Sequence, residues 1–285
     1  MFRNGALRHV LRLLPITWTL SFSQHPEPLQ ILNTMIERTG TLRTLRYELK
    51  KYERIQGKLL LEHMRFKLRR NPFAVYGYQI SPRQGVEVLF PVEPGNNRLL
   101  VKPNSFPYIS LTFDPNSDLI LENQHQTIRA VGYDQSRSLL IAARDKYRSE
   151  LPRLVKYEGT LVWDGHRCYK LLLQPPAYEI RSYTVQSGDN LFSIADKLQV
   201  NWYKIMELNG LKSPNTALKP GQVLKVPSDY GKVIRLIIDA ERFIPLVLEV
   251  EDEIGVYERY EYYNVEIDPP FTDKDFSKTN PEYKF

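Results

Sequence analysis

Residues 183–227 read YTVQSGDNLFSIADKLQVNWYKIMELNGLKSPNTALKPGQVLKVP, and this stretch decides the architecture. Tyr183 and Val185 alternate as in a strand, and Gly188 opens a turn. Asp189 stands where a short polar side chain caps a helix whose inward face is Leu191, Ile194, Ala195 and Leu198. Asn201 is placed to cap a second helix carrying Ile205 and Leu208, which Asn209-Gly210 ends. Pro220-Gly221 then turns the chain into a strand at Val223–Val226. Strand, helix, helix and strand make one small αβ core.

Outward from this unit the pattern is that of long strands. Upstream, Arg153–Trp163 and His166–Gln174 flank Asp164-Gly165, a two-residue hairpin signal. Downstream, Lys232–Asp239, Leu246–Val250 and Val256–Ile267 have the same character. One sheet interrupted by an insertion is therefore expected, with junctions at Pro175-Pro176 and Ser228–Gly231. Such an insertion costs little when its ends lie close together. The expected division is residues 24–180 with 229–285 as one discontinuous domain and 182–227 as the insert.

Nearer the N-terminus, Leu29, Ile31, Leu32, Met35 and Ile36 recur at helical spacing over Pro28–Arg38, and Gly40 reads as the cap that follows. Leu42, Leu45, Tyr47 and Leu49 lead into a strand, and Gly57 separates it from the alternating run Leu59–Arg69. Phe73–Ile80, Val86–Phe90 and Leu99–Val101 follow, divided by proline- and glycine-bearing turns. A second helix is predicted over Thr127–Arg148. The fold class expected is α+β: an antiparallel β half-barrel with N-terminal and central helices, plus the inserted βααβ unit.

A chain of 285 residues and 33.4 kDa accommodates one large domain with an insert. Its 42% hydrophobic and 25% charged residues are ordinary globular values and argue against a disordered or fibrous chain. The net charge of +6 is scattered among acids, with no spacing typical of a nucleic-acid reader, so nucleic acid is not an expected partner. Attraction to anionic envelope polymers is an equal use of that charge. Arg3, Arg8 and Arg12 precede the apolar run Leu13–Phe22, and Ser21 and Ser23 stand where a signal peptidase reads, which predicts an export leader over residues 1–23. The run is too short for a spanning helix, and Pro15 interrupts it. Periplasmic or cell-envelope residence is expected. Cys168, the sole cysteine, forbids an intramolecular disulfide.

The segment 183–227 resembles the LysM family nearly position for position: YTVxxGDTLxxIA, a helix ending in LNG, then PGQxLxVP. Asn190 departs from the pattern, standing where the family usually has Thr. The resemblance implies recognition of N-acetylglucosamine-containing glycans, peptidoglycan among them, in a shallow groove between two loops. Carried over, the glycan-binding residues are Gly188, Asp189, Asn190 and Leu191 in the first loop and Ala217, Leu218, Lys219 and Pro220 in the second. Backbone groups would bond acetamido groups there, while Leu191 and Leu218 meet methyls and sugar faces. A plainer reading of Gly188, Asp189 and Pro220-Gly221 is that they cap and turn the fold. Tyr203 and Met206 depart from the family's polar surface, which suggests that this face packs against the rest of the chain.

The remainder resembles the half-barrel of periplasmic lipoprotein carriers and an uncharacterised envelope family thought to share it. The ending EYYNVEIDPPFTDKDFSKTNPEY, residues 261–283, carries that likeness. It implies a concave sheet able to hold a lipid or lipoprotein. Leu60, Met64, Phe66, Tyr76, Tyr78, Leu99 and Val101 would line such a cavity, or else are ordinary core.

Catalysis finds little support. His166 and Cys168 share a strand face, yet no third orienting group is evident. Glu251, Asp252 and Glu253 read as a solvated turn, and no HExxH or phosphate loop occurs. A non-catalytic binding protein with no cofactor and no metal is expected, against a wall-remodelling hydrolase or a structural adaptor with a filled barrel.

Overall fold

The computed structural model describes residues 27–106 and 108–285; the leader expected at residues 1–23 lies outside them. Helix α1 (Pro28–Thr41) begins at a proline that cannot extend a helix backwards, and it buries Ile31, Leu32, Met35 and Ile36. Gly40 is inside this helix, not beyond it. A Cβ there would lie 2.9 Å from Arg137 Nε, so the glycine answers to close helix packing. Arg70 instead closes the helix, donating to the carbonyls of Gly40 (2.9 Å) and Leu42 (2.6 Å).

The strands are β1 (Thr44–Ile55), β2 (Lys58–Arg70), β3 (Phe73–Ser81), β4 (Glu87–Phe90), β5 (Leu99–Lys102) and β6 (Leu111–Phe113). A single turn α2 (Asp118–Leu121) and a 3₁₀ turn at Ile128–Ala130 lead to α3 (Asp134–Tyr147) and the short α4 (Leu151–Leu154). Then come β7 (Val155–Trp163), β8 (His166–Leu173), β9 (Ile180–Thr184), α5 (Leu191–Leu198), α6 (Trp202–Leu208) and β10 (Val223–Pro227). The chain finishes with β11 (Val233–Asp239), β12 (Pro245–Glu251) and β13 (Val256–Ile267).

Eleven strands form one antiparallel sheet in the order β6-β5-β4-β3-β2-β1-β13-β12-β11-β8-β7, an open half-barrel; β9 and β10 form a separate two-stranded sheet. Strand β1 pairs with β2 through Ile55↔Lys58 and with β13 through Leu45↔Ile267. Strands β8 and β11 pair directly, Leu173 opposite Ile234, although 59 residues of sequence lie between them by number. Ser228 N donates to Glu179 O at 2.8 Å, so the intervening chain leaves and returns at one place. The main core lies between the sheet and helices α1 and α3, around Met35, Leu45, Leu68, Leu140 and Ile238.

The helix predicted over Thr127–Arg148 is broken. Gly132 has φ +98° and a Cβ on it would stand 2.4 Å from Leu68 Cδ2, so the chain turns there against the sheet before α3 starts. The C-terminal tail folds back over the sheet: Tyr283 stacks on Tyr76 at 3.7 Å, and Lys67 donates to Asp275 at 2.9 Å.

Candidate functional sites

The two loops named from sequence lie side by side. Val185 N donates to Gln222 O at 2.8 Å and Gly221 N to Val185 O at 2.9 Å, which ties the second loop to the end of β9. The first loop turns at Gly188, φ +84°, with open space where a side chain would be. Asp189 is not the helix cap. Its carboxylate accepts from Tyr183 Oη (2.7 Å) and Gln186 N (2.8 Å) and pairs with Lys197. Lys197 foremost, then the Gln186 N–H and Tyr183, hold its pKa down at about 2. The cap is Asn190, in a reciprocal box with Ser193: Ser193 N donates to Asn190 Oδ1 and Asn190 N to Ser193 Oγ, both at 2.9 Å.

Gly188, Asn190, Ala217, Lys219 and Pro220 are exposed and Leu218 is half-buried. Leu191 is fully buried, because it is the first residue of the inward face that continues through Ile194 and Ala195. Its side chain belongs to the core and offers no apolar surface to a ligand, so that expectation is corrected; Leu218 is the apolar side chain the loop pair presents.

Helix α6 seats the unit on the large sheet. Ile55, Leu121 and Tyr257 share one core with Val185, Leu191, Ile194, Ile205 and Leu224. Tyr203 is buried, accepts from Gln56 N at 3.3 Å and stacks on His125 at 4.7 Å, while Met206 packs at the margin. Asp252 is not solvated as its acidic run suggested. It is buried, pairs with Arg54 and lies 2.7 Å from Lys204 Nζ. Burial alone would raise its pKa, but Lys204 and Arg54 outweigh that and hold it low.

Beside this seam Glu53, His125 and Glu258 bring three possible metal-ligating groups together, all buried. Each is already engaged. Glu53 accepts from His125 N (3.0 Å) and Tyr260 Oη (2.7 Å), with Lys51 Nζ at 3.1 Å. Glu258 accepts from Tyr230 Oη (2.7 Å) and lies 3.1 Å from His125 Nδ1, whose Nε2 is 3.1 Å from Arg54 O. Burial would raise the Glu53 pKa; Lys51 and His125 reverse it. An ammonium on the carboxylate and hydroxyl donors on its neighbours fit a closed polar network better than a cation nest.

Three of the cavities bear on ligand binding, two of them against the sheet. An open cleft of about 760 Å³ is lined by Leu60, Leu61, Met64, Val88, Leu99 and Val101. Leu60, Leu61 and Leu119 on its walls are exposed, and the connection after β5 exposes Phe106, Tyr108 and Ile109. A smaller chamber of about 130 Å³ lies under the 3₁₀ turn, against Leu49, Phe66, Leu248 and Tyr262. A third, of about 700 Å³, runs in the seam between α3 and the α5–α6 connection. The seven apolar residues named from sequence thus divide. Leu60, Met64, Leu99 and Val101 line the cleft and Phe66 the chamber, whereas Tyr76 and Tyr78 pack with the C-terminal tail. Alternation singled out strands but not the cleft's rim; the run Leu59-Leu60-Leu61 was the available signal, since three successive strand residues cannot all face one core.

His166 and Cys168 do not form a dyad. His166 Nδ1 faces Asp239 at 3.2 Å, and Cys168 Sγ points to His166 O at 3.4 Å. Burial pushes the Cys168 thiol up to about 11.

Fold and sites together define the class: an open antiparallel half-barrel bearing a small βααβ module. The LysM domain model matches residues 183–227, and the model described as "Protein of unknown function (DUF1571)" matches residues 43–187, more than half of the 285 residues. The chain belongs to the DUF1571 family and carries a LysM domain. The N-acetylmuramoyl-L-alanine amidase sle1 of Staphylococcus epidermidis is 52% identical over 46 residues, which are 16% of this chain and 14% of that protein. Among solved structures, Mycobacterium tuberculosis lipoprotein LppX is 14% identical with TM-score 0.43, over 87% of this chain and 99% of that one. LprF from Mycobacterium bovis is likewise 14% identical, TM-score 0.42, over 87% and 96%. The Pseudomonas aeruginosa MucA/MucB complex gives 11% and 0.40, over 88% and 60%.

Proposed function

We propose that this chain is an exported, non-catalytic envelope protein that holds an N-acetylglucosamine-containing glycan, peptidoglycan above all, on its LysM loop pair. In the same reading the half-barrel takes a hydrophobic ligand or lipoprotein, residues 24–180 with 229–285 act as the carrier, and 182–227 tether it to the wall. The observation that supports the reading is the LysM match, with the second loop tied to the end of β9 and Gly188, Asn190, Ala217, Lys219 and Pro220 exposed beside the half-buried Leu218. The 760 Å³ cleft supports the second part, being of ligand size and walled by exposed leucines. The likeness to an amidase is confined to the module and brings no cutting chemistry with it.

Deleting the module would expose the core it shares with Ile55, Leu121 and Tyr257, so point variants are the better test. Ala217→Trp and Lys219→Glu alter exposed loop positions without touching that core. Sedimentation with insoluble peptidoglycan should be lost in both while circular dichroism is unchanged. Sedimentation at the wild-type level in both variants would remove the loop pair as the wall-binding surface. Solvent extraction of the purified chain, followed by mass spectrometry, should release a hydrophobic molecule.

A further inference from the structure

The chamber borders both larger cavities. It shares Lys51, Met64, Gln124 and Ile128 with the open cleft, and Thr127, Ala130, Gln135 and Leu139 with the seam; Gln126 borders all three. The surroundings change along this line. At the chamber the walls are mostly apolar, Leu49, Phe66, Leu248 and Tyr262 among them, with Lys51 and Glu258 as its charged groups. In the seam Asn116, Ser138, Gln199 and Asn201 join the shared Thr127 and Gln135, carboxamides and hydroxyls that bond sugar hydroxyls and acetamido groups in either direction. Trp202 also lines the seam; it is buried, and its indole Nε1 has no hydrogen-bond partner among the described residues.

From this gradient we infer that chamber and seam together bind one amphiphile: a single apolar chain in the chamber, carrying a neutral N-acetylated saccharide head in the seam against the LysM domain. The inference goes beyond the reading above, since it uses neither the loop pair nor the open cleft but the chamber and the seam. Chamber size argues for one chain. Its 130 Å³, set beside the roughly 150 Å³ that holds one benzene, takes about six carbon groups, too few for a diacyl lipid. Charge argues for a neutral head. Among the described residues Arg129 is the only cationic side chain on the seam and it donates to Asn97, whereas Asp134 on the same wall is engaged by Arg70. A phosphate head would want several unengaged cations.

The test is calorimetric titration of the intact chain with hexyl N-acetyl-β-glucosaminide, below its micelle concentration, beside N,N′-diacetylchitobiose, hexanol and hexyl-chain lysophosphatidylcholine. Joining head and tail should give affinity about 100-fold above either part, because the second contact becomes intramolecular. Ala130→Trp, which fills the border between the two spaces, should reduce alkyl-glycoside binding at least about tenfold, toward that of the free sugar. Asn116→Ala, a milder change on the seam wall away from the chamber, should weaken the alkyl glycoside and leave hexanol alone. An alkyl glycoside that binds no tighter than its parts, or that ignores both substitutions, overturns the joint site. Equal binding of the lysophospholipid overturns the saccharide head. Failure of the wall-binding reading is separate: it shows as unchanged peptidoglycan sedimentation in Ala217→Trp, a variant that leaves chamber and seam intact.

Discussion

Lys204, on helix α6 of the LysM domain, lies with its ammonium 2.7 Å from the carboxylate of Asp252 at the β12–β13 turn, and both side chains are buried. A lysine on the outer surface of a free module would be solvated; here it is the ionic clasp that fixes the module to the sheet. Burial tends to lower the Lys204 pKa, but Asp252 and Glu253 raise it overall. Truncating one member of a buried pair strands the other's charge. Lys204→Met should therefore cost about 3 kcal/mol, with Arg54 still moderating Asp252. Urea denaturation measures this; a loss under about 0.5 kcal/mol would mean the pair is in effect solvated.

The pH response of the loop at Gly188–Asn190 follows from Asp189. Its pKa is depressed to about 2 from an ordinary value near 4, so its contribution is fully present above that ordinary range and is lost only as pH falls through about 2. Carboxyl carbon shifts followed by NMR should show Asp189 titrating near 2, after the exposed carboxylates. Titration near 4 would mean that the bonds from Tyr183, Gln186 and Lys197 do not persist in solution.

How far the sequence could be read depended on which force shaped each segment. Long strands were legible because alternating burial imposes a period of two, and β13 falls on the residues predicted, Val256–Ile267. The module was legible through its turn chemistry, although Asn190 and not Asp189 caps α5. Edge strand β6 and the single turn α2 were missed, since neither is long enough to set up a period. Gly40 misled because a glycine can serve close packing as well as a cap, and the helix predicted over Thr127–Arg148 ran through Gly132 because its approach to Leu68 exists only in three dimensions. The polar seam was invisible because Glu53, His125 and Glu258 are scattered along the chain and meet only in three dimensions. Asp252 was misread with its neighbours because its partners Arg54 and Lys204 lie 198 and 48 residues away.

Cys168 gives a direct check on the absence of thiol chemistry. It is fully buried on β8, and with its thiol pushed up to about 11 the thiolate fraction at pH 8 is on the order of 10⁻³. The folded chain should react with a disulfide reagent hundreds of times more slowly than the same chain in denaturant. A native rate approaching the unfolded one would reopen the nucleophile reading that the 3.4 Å contact to the His166 carbonyl disfavours.

Gly132 sets the angle at which the 3₁₀ turn covers the chamber, and so links backbone conformation to the proposed ligand space. Its φ of +98° is costly for any residue with a Cβ, and Leu68 Cδ2 would stand 2.4 Å from the new atom. Gly132→Ala should destabilise the fold by about 1–3 kcal/mol, the usual range for a strained backbone conformation. Leu68 is buried in the main core and cannot move away freely. Relief therefore requires the Ile128–Gly132 segment to lift, which enlarges the chamber mouth lined by Ile128, Ala130 and Val131. The variant should melt at lower temperature and bind an alkyl glycoside more weakly, while peptidoglycan sedimentation through the distant loop pair is kept. A melting temperature equal to the wild type would show that the turn at Gly132 is not under the constraint its geometry implies.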